Sequence, residues 1–449
     1  MPRPILRQTP IISSPSPISA WRQLLFALSL MLGTGVFVGL GVAIDVAGVG
    51  IIGAITLAAL LALFNQEALS QPTAYSQNAP PNTSSRETAD ANWLDFTAAW
   101  LLFLAQLTTA STALLGIAAY LLNLLKEFQR TDPVWLIPLA LGVVICLSGI
   151  TFCRSVRPNS AWVVILTAAA LLNLSLAGLP AAWENVQHWR GWAWEMSSSL
   201  LSLRMLADLL QATALMSVAY ASYPGSIYPQ PTATYLTATH ISPKVVRWVI
   251  VLAWLLCLSV AIAYLNLELL PTALSATSNH ESLTSIAPLT TVITEATQSL
   301  PILGGLYLIT GGALAAMAST VLHLLPQLAA GVLELSCSPA IGATGQPTTR
   351  HLSPRIAKLL VSIALVCIVL VGDVRTIWSF AAFTFLLHAA LMHSLTLGRH
   401  AAHLGWQHHF GCLACIFLAF WVNWDVWLVG LGLVALALIW RGVQYWSED

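Results

Sequence analysis

An all-α integral membrane protein is the fold class this sequence predicts, on three observations: composition, the spacing of charge, and two interrupted apolar runs. Of 449 residues 57% are hydrophobic and 8% charged, against about a quarter charged in an ordinary soluble domain. Mean hydropathy is +0.78. Crossing about 30 Å of hydrocarbon takes about 20 apolar residues per helix. Twelve stretches between charges qualify: 21–44, 47–69, 93–125, 134–153, 159–181, 203–223, 244–266, 299–334, 354–372, 374–397, 405–424 and 425–443. In the ninth and twelfth, Lys358 and Arg441 must snorkel to the surface.

Charge placement tests that count. With the N-terminus inside, only Lys126, Arg130, Arg190, Arg204 and Arg375 of the 18 Lys and Arg fall outside, the bias expected of cytoplasmic loops. Both termini are expected in the cytoplasm, in a multi-pass protein of the cell membrane. Residues 1–20 read as a polar cytoplasmic tail without a removable leader, and 21–445 as one transmembrane domain. A formal net charge of zero gives no hint of nucleic acid, and seven scattered Cys suggest no disulfide framework. Residues 70–92 have the composition of a cytoplasmic linker. Residues 268–300 fall outside, where "APLTTVITEATQSL" has the apolar spacing of a short helix over the outer mouth.

The first run contains Gly33, Thr34, Gly35, Gly39 and Gly41. Each Gly in a helix interior costs about 1 kcal/mol relative to Ala. One return is packing, since small residues four apart, as Gly35 and Gly39 are, let two backbones approach. The other is a true break, whose freed N–H groups at the start of a half-helix bind an anion. The sixth run is also interrupted, by Pro224 and Gly225 just after Tyr220–Tyr223, and Pro forces the preceding turn to unwind. Interrupted segments at matching places in two halves point to a secondary transporter with inverted repeats and a midplane site. The expected architecture is twelve transmembrane helices in a 5+5 inverted repeat. Repeat one is 21–181, repeat two 203–397, and two C-terminal helices at 405–443 are appended.

These features together resemble the amino acid, polyamine and organocation permeases, the APC superfamily with the leucine-transporter fold. The resemblance rests on Gly33-Thr34-Gly35-Val36-Phe37 with Gly41 and Ala47-Gly48; on Glu67 ending the second run; and on "PNSAWVVILTAAALLNLSLAGLP", "ISPKVVRWVIVLAWLLCLSVAIAYLNL", "APLTTVITEA" and "GGALAAMAST" in order over residues 20–400. It implies a permease moving an amino acid or related amine by alternating access. Backbone amides around Gly33, Thr34, Gly35 and Val36 would hold the substrate carboxylate. Carbonyls around Tyr220, Ala221 and Ser222 would receive its ammonium group, with Tyr223 as an aromatic gate. Ser319 and Thr320 would supply a sodium site between the first and eighth runs, so sodium or proton coupling is open and no resident cofactor is expected. Proton-coupled relatives that use a Lys in the fifth run are not matched, because Thr167 to Ala170 hold none. The alternative is a diverged, transport-inactive relative acting as ligand sensor or scaffold.

Asp208, four residues after Arg204, is a charge inside an apolar run and so a functional candidate, or one half of a snorkelling ion pair. "HLGWQHHFGCLAC", residues 403–415, gathers His403, His408, His409, Cys412 and Cys415. Zinc uses such ligands on small polar modules, whereas Cys in an apolar helix packs as a small hydrophobe. His323, His388 and His393 are candidate proton carriers or packed core histidines. No phosphate-binding loop, Ser/His/Asp set or paired carboxylates appear, so no enzymatic activity is expected.

Overall fold

The computed structural model describes residues 20–69, 85–128, 135–153, 160–184, 203–221, 243–272, 305–336, 352–399 and 406–446. In these residues every element is helical. Apolar runs in a solvent that cannot hydrogen-bond must satisfy their backbone internally, which a helix does. The first run opens as α1 (Ala20–Thr34), widens into a π turn (Gly35–Gly39), and continues as α2 (Leu40–Ala47). After Gly48, whose φ of 51° only glycine adopts readily, the chain reverses into α3 (Ile51–Leu69). There follow α4 (Ser85–Phe128), α5 (Leu136–Cys153), α6 (Ser160–Glu184), α7 (Leu203–Ala221), α8 (Pro243–Thr272) and α9 (Gly305–Ser336). The last four are α10 (Pro354–Val369), α11 (Val374–Arg399), α12 (Trp406–Ala419) and α13 (Trp424–Trp446).

Six of these stretches are long and apolar enough to cross a membrane: Met31–Gln66, which joins two helices, Trp93–Leu125, Lys244–Leu265, Tyr307–Leu333, Val374–Leu397 and Trp424–Val443. Leu136–Phe152 and Trp162–Leu176 are shorter apolar helices. The expected linker is shorter than the composition suggested, because α4 starts at Ser85. The expected outer helix at 287–300 lies outside the described residues, as do Pro224 and Gly225.

Burial ranks the helices. The most apolar window of Trp93–Leu125 is 89% buried and that of Trp424–Val443 only 17%, so α4 is a central post and α13 a peripheral one. Hydroxyls inside α4 are answered locally: Thr108, Thr109, Ser111 and Thr112 each donate to a carbonyl four residues back at 2.7–2.9 Å. Such bonds let a polar side chain sit in a dry interior without a partner on another helix. The α1–α2 rod lies against α7, α3 against α8, α4 against α9 and α5 against α10.

Candidate functional site

The two runs singled out by their interruptions touch each other. Gly35, the first residue of the π turn, faces Ala219 of α7 so closely that a methyl group on it would lie 2.6 Å from the Ala219 Cβ and 2.7 Å from its Cα. A methyl on Gly33 would collide with the Thr320 hydroxyl of α9, and one on Gly39 with the Trp378 ring of α11. These three glycines therefore serve close packing, the first of the two roles open from sequence.

The expected break is corrected accordingly. The chain does not unwind at Gly33–Gly35: it is α-helical through Thr34, and the wider turn follows, with the Leu40 N–H donating to the Gly35 carbonyl. One π turn accommodates an extra residue without leaving a gap in the ladder. Within it the Phe37 carbonyl accepts a hydrogen bond from the Tyr120 hydroxyl of α4 at 3.3 Å. A protein side chain, and no free amide row, meets the backbone there.

Beside this crossing is a cavity between α1, α3, α7, α8 and α11. Met31, Asn65, Gln66, Ser217, Tyr220, Val246 and Phe385 are among its lining residues. Its volume of about 20 Å³ is on the scale of one water molecule. Tyr220 is 4% exposed, and its hydroxyl has no hydrogen-bond partner among the described residues. The Cys257 thiol of α8 is close by without hydrogen-bond geometry. Leaving a buried hydroxyl unanswered costs about 1–3 kcal/mol, a cost that a ligand can remove.

Of the other expected site residues, Thr34 and Val36 are buried and Ala221 ends α7 half-buried. Ser222 and Tyr223 lie outside the described residues. Thr34 and Ser319 each carry a buried hydroxyl without a partner among the described residues, on two helices that meet where Gly33 abuts Thr320. Thr320 itself donates to the Ala316 carbonyl at 3.0 Å. Arg204 is exposed and Asp208 half-buried at the far end of α7.

Asn65 and Gln66 were not among the residues expected at a site, although two amides ending an apolar helix were visible as "NQE". The histidines separate by position. His388 Nδ1 lies 2.9 Å from the Ala98 carbonyl of α4 and His323 Nδ1 2.8 Å from the Ser319 carbonyl, so both are held by backbone. His393 meets His408 of α12, Nδ1 to Nδ1 at 3.2 Å, and the Asn65 amide oxygen, from Nε2 at 2.9 Å. No set of three or more His, Cys, Asp or Glu arranged for a metal occurs among the described residues.

No family model matches this chain, and no curated protein does. Its fold is similar to solved structures of a manganese transporter from Eremococcus coleocola. In complex with an aromatic bis-isothiourea compound, that transporter aligns with a TM-score of 0.57 at 13% identity, covering 97% of this chain and 98% of that one. One point mutant aligns at 0.58 with 14% identity, covering 98% of each chain. A second aligns at 0.56 with 13% identity, covering 97% and 98%. What this chain shares with them is the fold, which is helical throughout the described residues.

Proposed function

We propose that this chain is a secondary transporter that carries an amino acid or related amine by alternating access, and that it is not an enzyme. The observation that carries the reading is the cavity beside the Gly35–Ala219 crossing, with Tyr220, whose hydroxyl is unpartnered among the described residues, as one of its lining residues. All twelve rods, taking α1–α2 as one, would cross the cell membrane, with both termini cytoplasmic. Each of the first four rods packs on the one five places later, the pattern that a 5+5 inverted repeat produces. The rods α1–α2, α3, α7 and α8 would rock against α4, α5, α9 and α10. The cavity would enlarge as they move, bringing Gly33, Thr34, Gly35 and Val36 on one side and Tyr220, Ala221, Ser222 and Tyr223 on the other to the substrate. Thr34, Ser319 and Thr320 hydroxyls suit a sodium ion at the α1–α9 contact.

The name of the fold neighbours favours a second reading, transport of a divalent cation. The cavity wall offers amides, hydroxyls and a thioether but no carboxylate, and hard divalent cations favour oxygen cages rich in carboxylates. The donor set suits a zwitterion better.

Counterflow of labelled amino acids into liposomes, with manganese as a parallel arm and sodium and pH gradients varied, tests the reading. Tyr220→Phe should leave stability unchanged or raised, because an unanswered hydroxyl is removed. It should weaken apparent substrate affinity about tenfold or more, as loss of a hydrogen bond to a charged ligand does. Flux of manganese alone would shift the reading to the cation. Ligand-dependent thermal stabilisation without any flux would leave a sensor.

A further inference from the structure

We infer that His393 and His408 form a buried site for a single proton, joined through Asn65 to the cavity. This deepens the transporter reading by adding a proton to the sodium ion as a coupling ion, and rests on that reading only for the coupling. The helical spacing of "HHFGCLAC" puts His408, Gly411 and Cys415 on one buried face of α12, against α11. Gly411 makes room for the partner ring: a methyl there would lie 2.5 Å from His393 Cε1 and Nε2. Both imidazoles are nearly inaccessible, His393 at 1% and His408 at 3% exposure.

With the Asn65 amide oxygen as the atom facing His393, the donor and acceptor roles follow along the chain of contacts. The Asn65 amide oxygen can only accept, so the 2.9 Å contact is a bond donated by His393 Nε2–H. The Cys415 thiol donates to the same oxygen at 3.4 Å. In the neutral pair His393 Nδ1 is then the bare nitrogen, and it accepts from His408 Nδ1–H across 3.2 Å. That makes His408 Nε2 the ring nitrogen without a hydrogen. An added proton goes to that nitrogen, no existing bond breaks, and the charge is shared across the Nδ1–H···Nδ1 contact. A second proton would place two N–H groups head to head at 3.2 Å, so the pair takes one.

The surrounding helices carry other ionisable groups. On α12 these are exposed His409 and half-buried Cys412; on α11, His388, committed to the Ala98 carbonyl, with Arg375 and Arg399 in its end turns. On α4 there are Asp95 and, nearer its two ends, Arg86, Glu87, Asp90, Lys126 and Glu127; on α13 Asp425 in the first turn and Arg441, directed at the Phe96 ring; and on α3 Glu67 stands two positions beyond Asn65. The α7 segment that lines the cavity contributes Tyr220. Asn65 is the connection: its oxygen holds His393, and the same residue forms part of the cavity wall. Protonating the pair strengthens the donor facing that oxygen, and moving Asn65 as the cavity opens weakens the pair's hold on its proton.

The test is nitrogen-15 NMR of histidine in the full-length protein in lipid nanodiscs, titrated from about pH 8 downward until the transition is complete. The expected result is one shared transition of His393 and His408 with a one-proton midpoint. His408→Gln should abolish the His393 transition, and Asn65→Ala should lower the proton affinity about tenfold. Two independent midpoints, a pair neutral throughout, or a midpoint indifferent to Asn65→Ala would overturn the proposal. The wild-type titration decides the first two even where a variant does not fold. In liposomes, His408→Gln should keep counterflow and lose accumulation driven by a pH gradient. A wild type without flux would sink the transporter reading alone, leaving the titration to judge the proton site.

Discussion

Gly35→Ala adds one methyl group at the crossing of the π turn with α7, and the structure fixes its cost. The methyl would sit 2.6 Å from Ala219 Cβ and 2.7 Å from Ala219 Cα. Carbon atoms in favourable contact lie about 3.5–4.0 Å apart, so the helices must separate by about 1 Å. Neither Ala219 atom can swing aside as a long side chain would, which puts the change in the overpacking range of about 1–3 kcal/mol. Against it stands the gain of about 1 kcal/mol from replacing Gly by Ala in a helix. The net expectation is a loss of about 1 kcal/mol. Gly142→Ala on α5 is the control, because a methyl there meets nothing within 4 Å, so only the propensity gain of up to about 1 kcal/mol remains. Unfolding of both variants in mixed micelles by increasing denaturing detergent reads the difference, expected at about 1–3 kcal/mol. If Gly35→Ala proves as stable as Gly142→Ala, the close-packing account of the first run is refuted.

Tyr120→Phe removes the donor to the Phe37 carbonyl inside the π turn and should cost about 1 kcal/mol in the same assay; an unchanged midpoint would mean that this carbonyl is satisfied elsewhere. Gly411→Ala drives a methyl against the His393 ring and should destabilise by about 1–3 kcal/mol, with the His393 imidazole resonances displaced. Retention of both the stability and the resonances would show that the two helices have slack at this point.

The helices themselves were legible from sequence because their cause is local. Whether a segment is apolar enough to leave water depends on its own residues, and the charges that end it do too. So 21–44, 244–266 and 354–372 have their counterparts in α1–α2, α8 and α10. The start of α4 at Ser85 escaped that logic, since "SRETADAN" is polar enough for a linker yet opens a long helix.

What the glycines do was a different kind of question. A Gly in an apolar run is compatible with a gap or with a close neighbour, and the neighbours, Ala219, Thr320 and Trp378, come from helices far along the chain. The same holds for Asn65, which meets His393 and Cys415 only because α3, α11 and α12 pack together. The sequence by itself determined the solvent, the helix positions and the residues able to bond or titrate. Only the tertiary structure decided which backbone stays covered, which hydroxyl stays unanswered and which imidazoles share a hydrogen bond, because those depend on distances between segments that hydropathy does not encode.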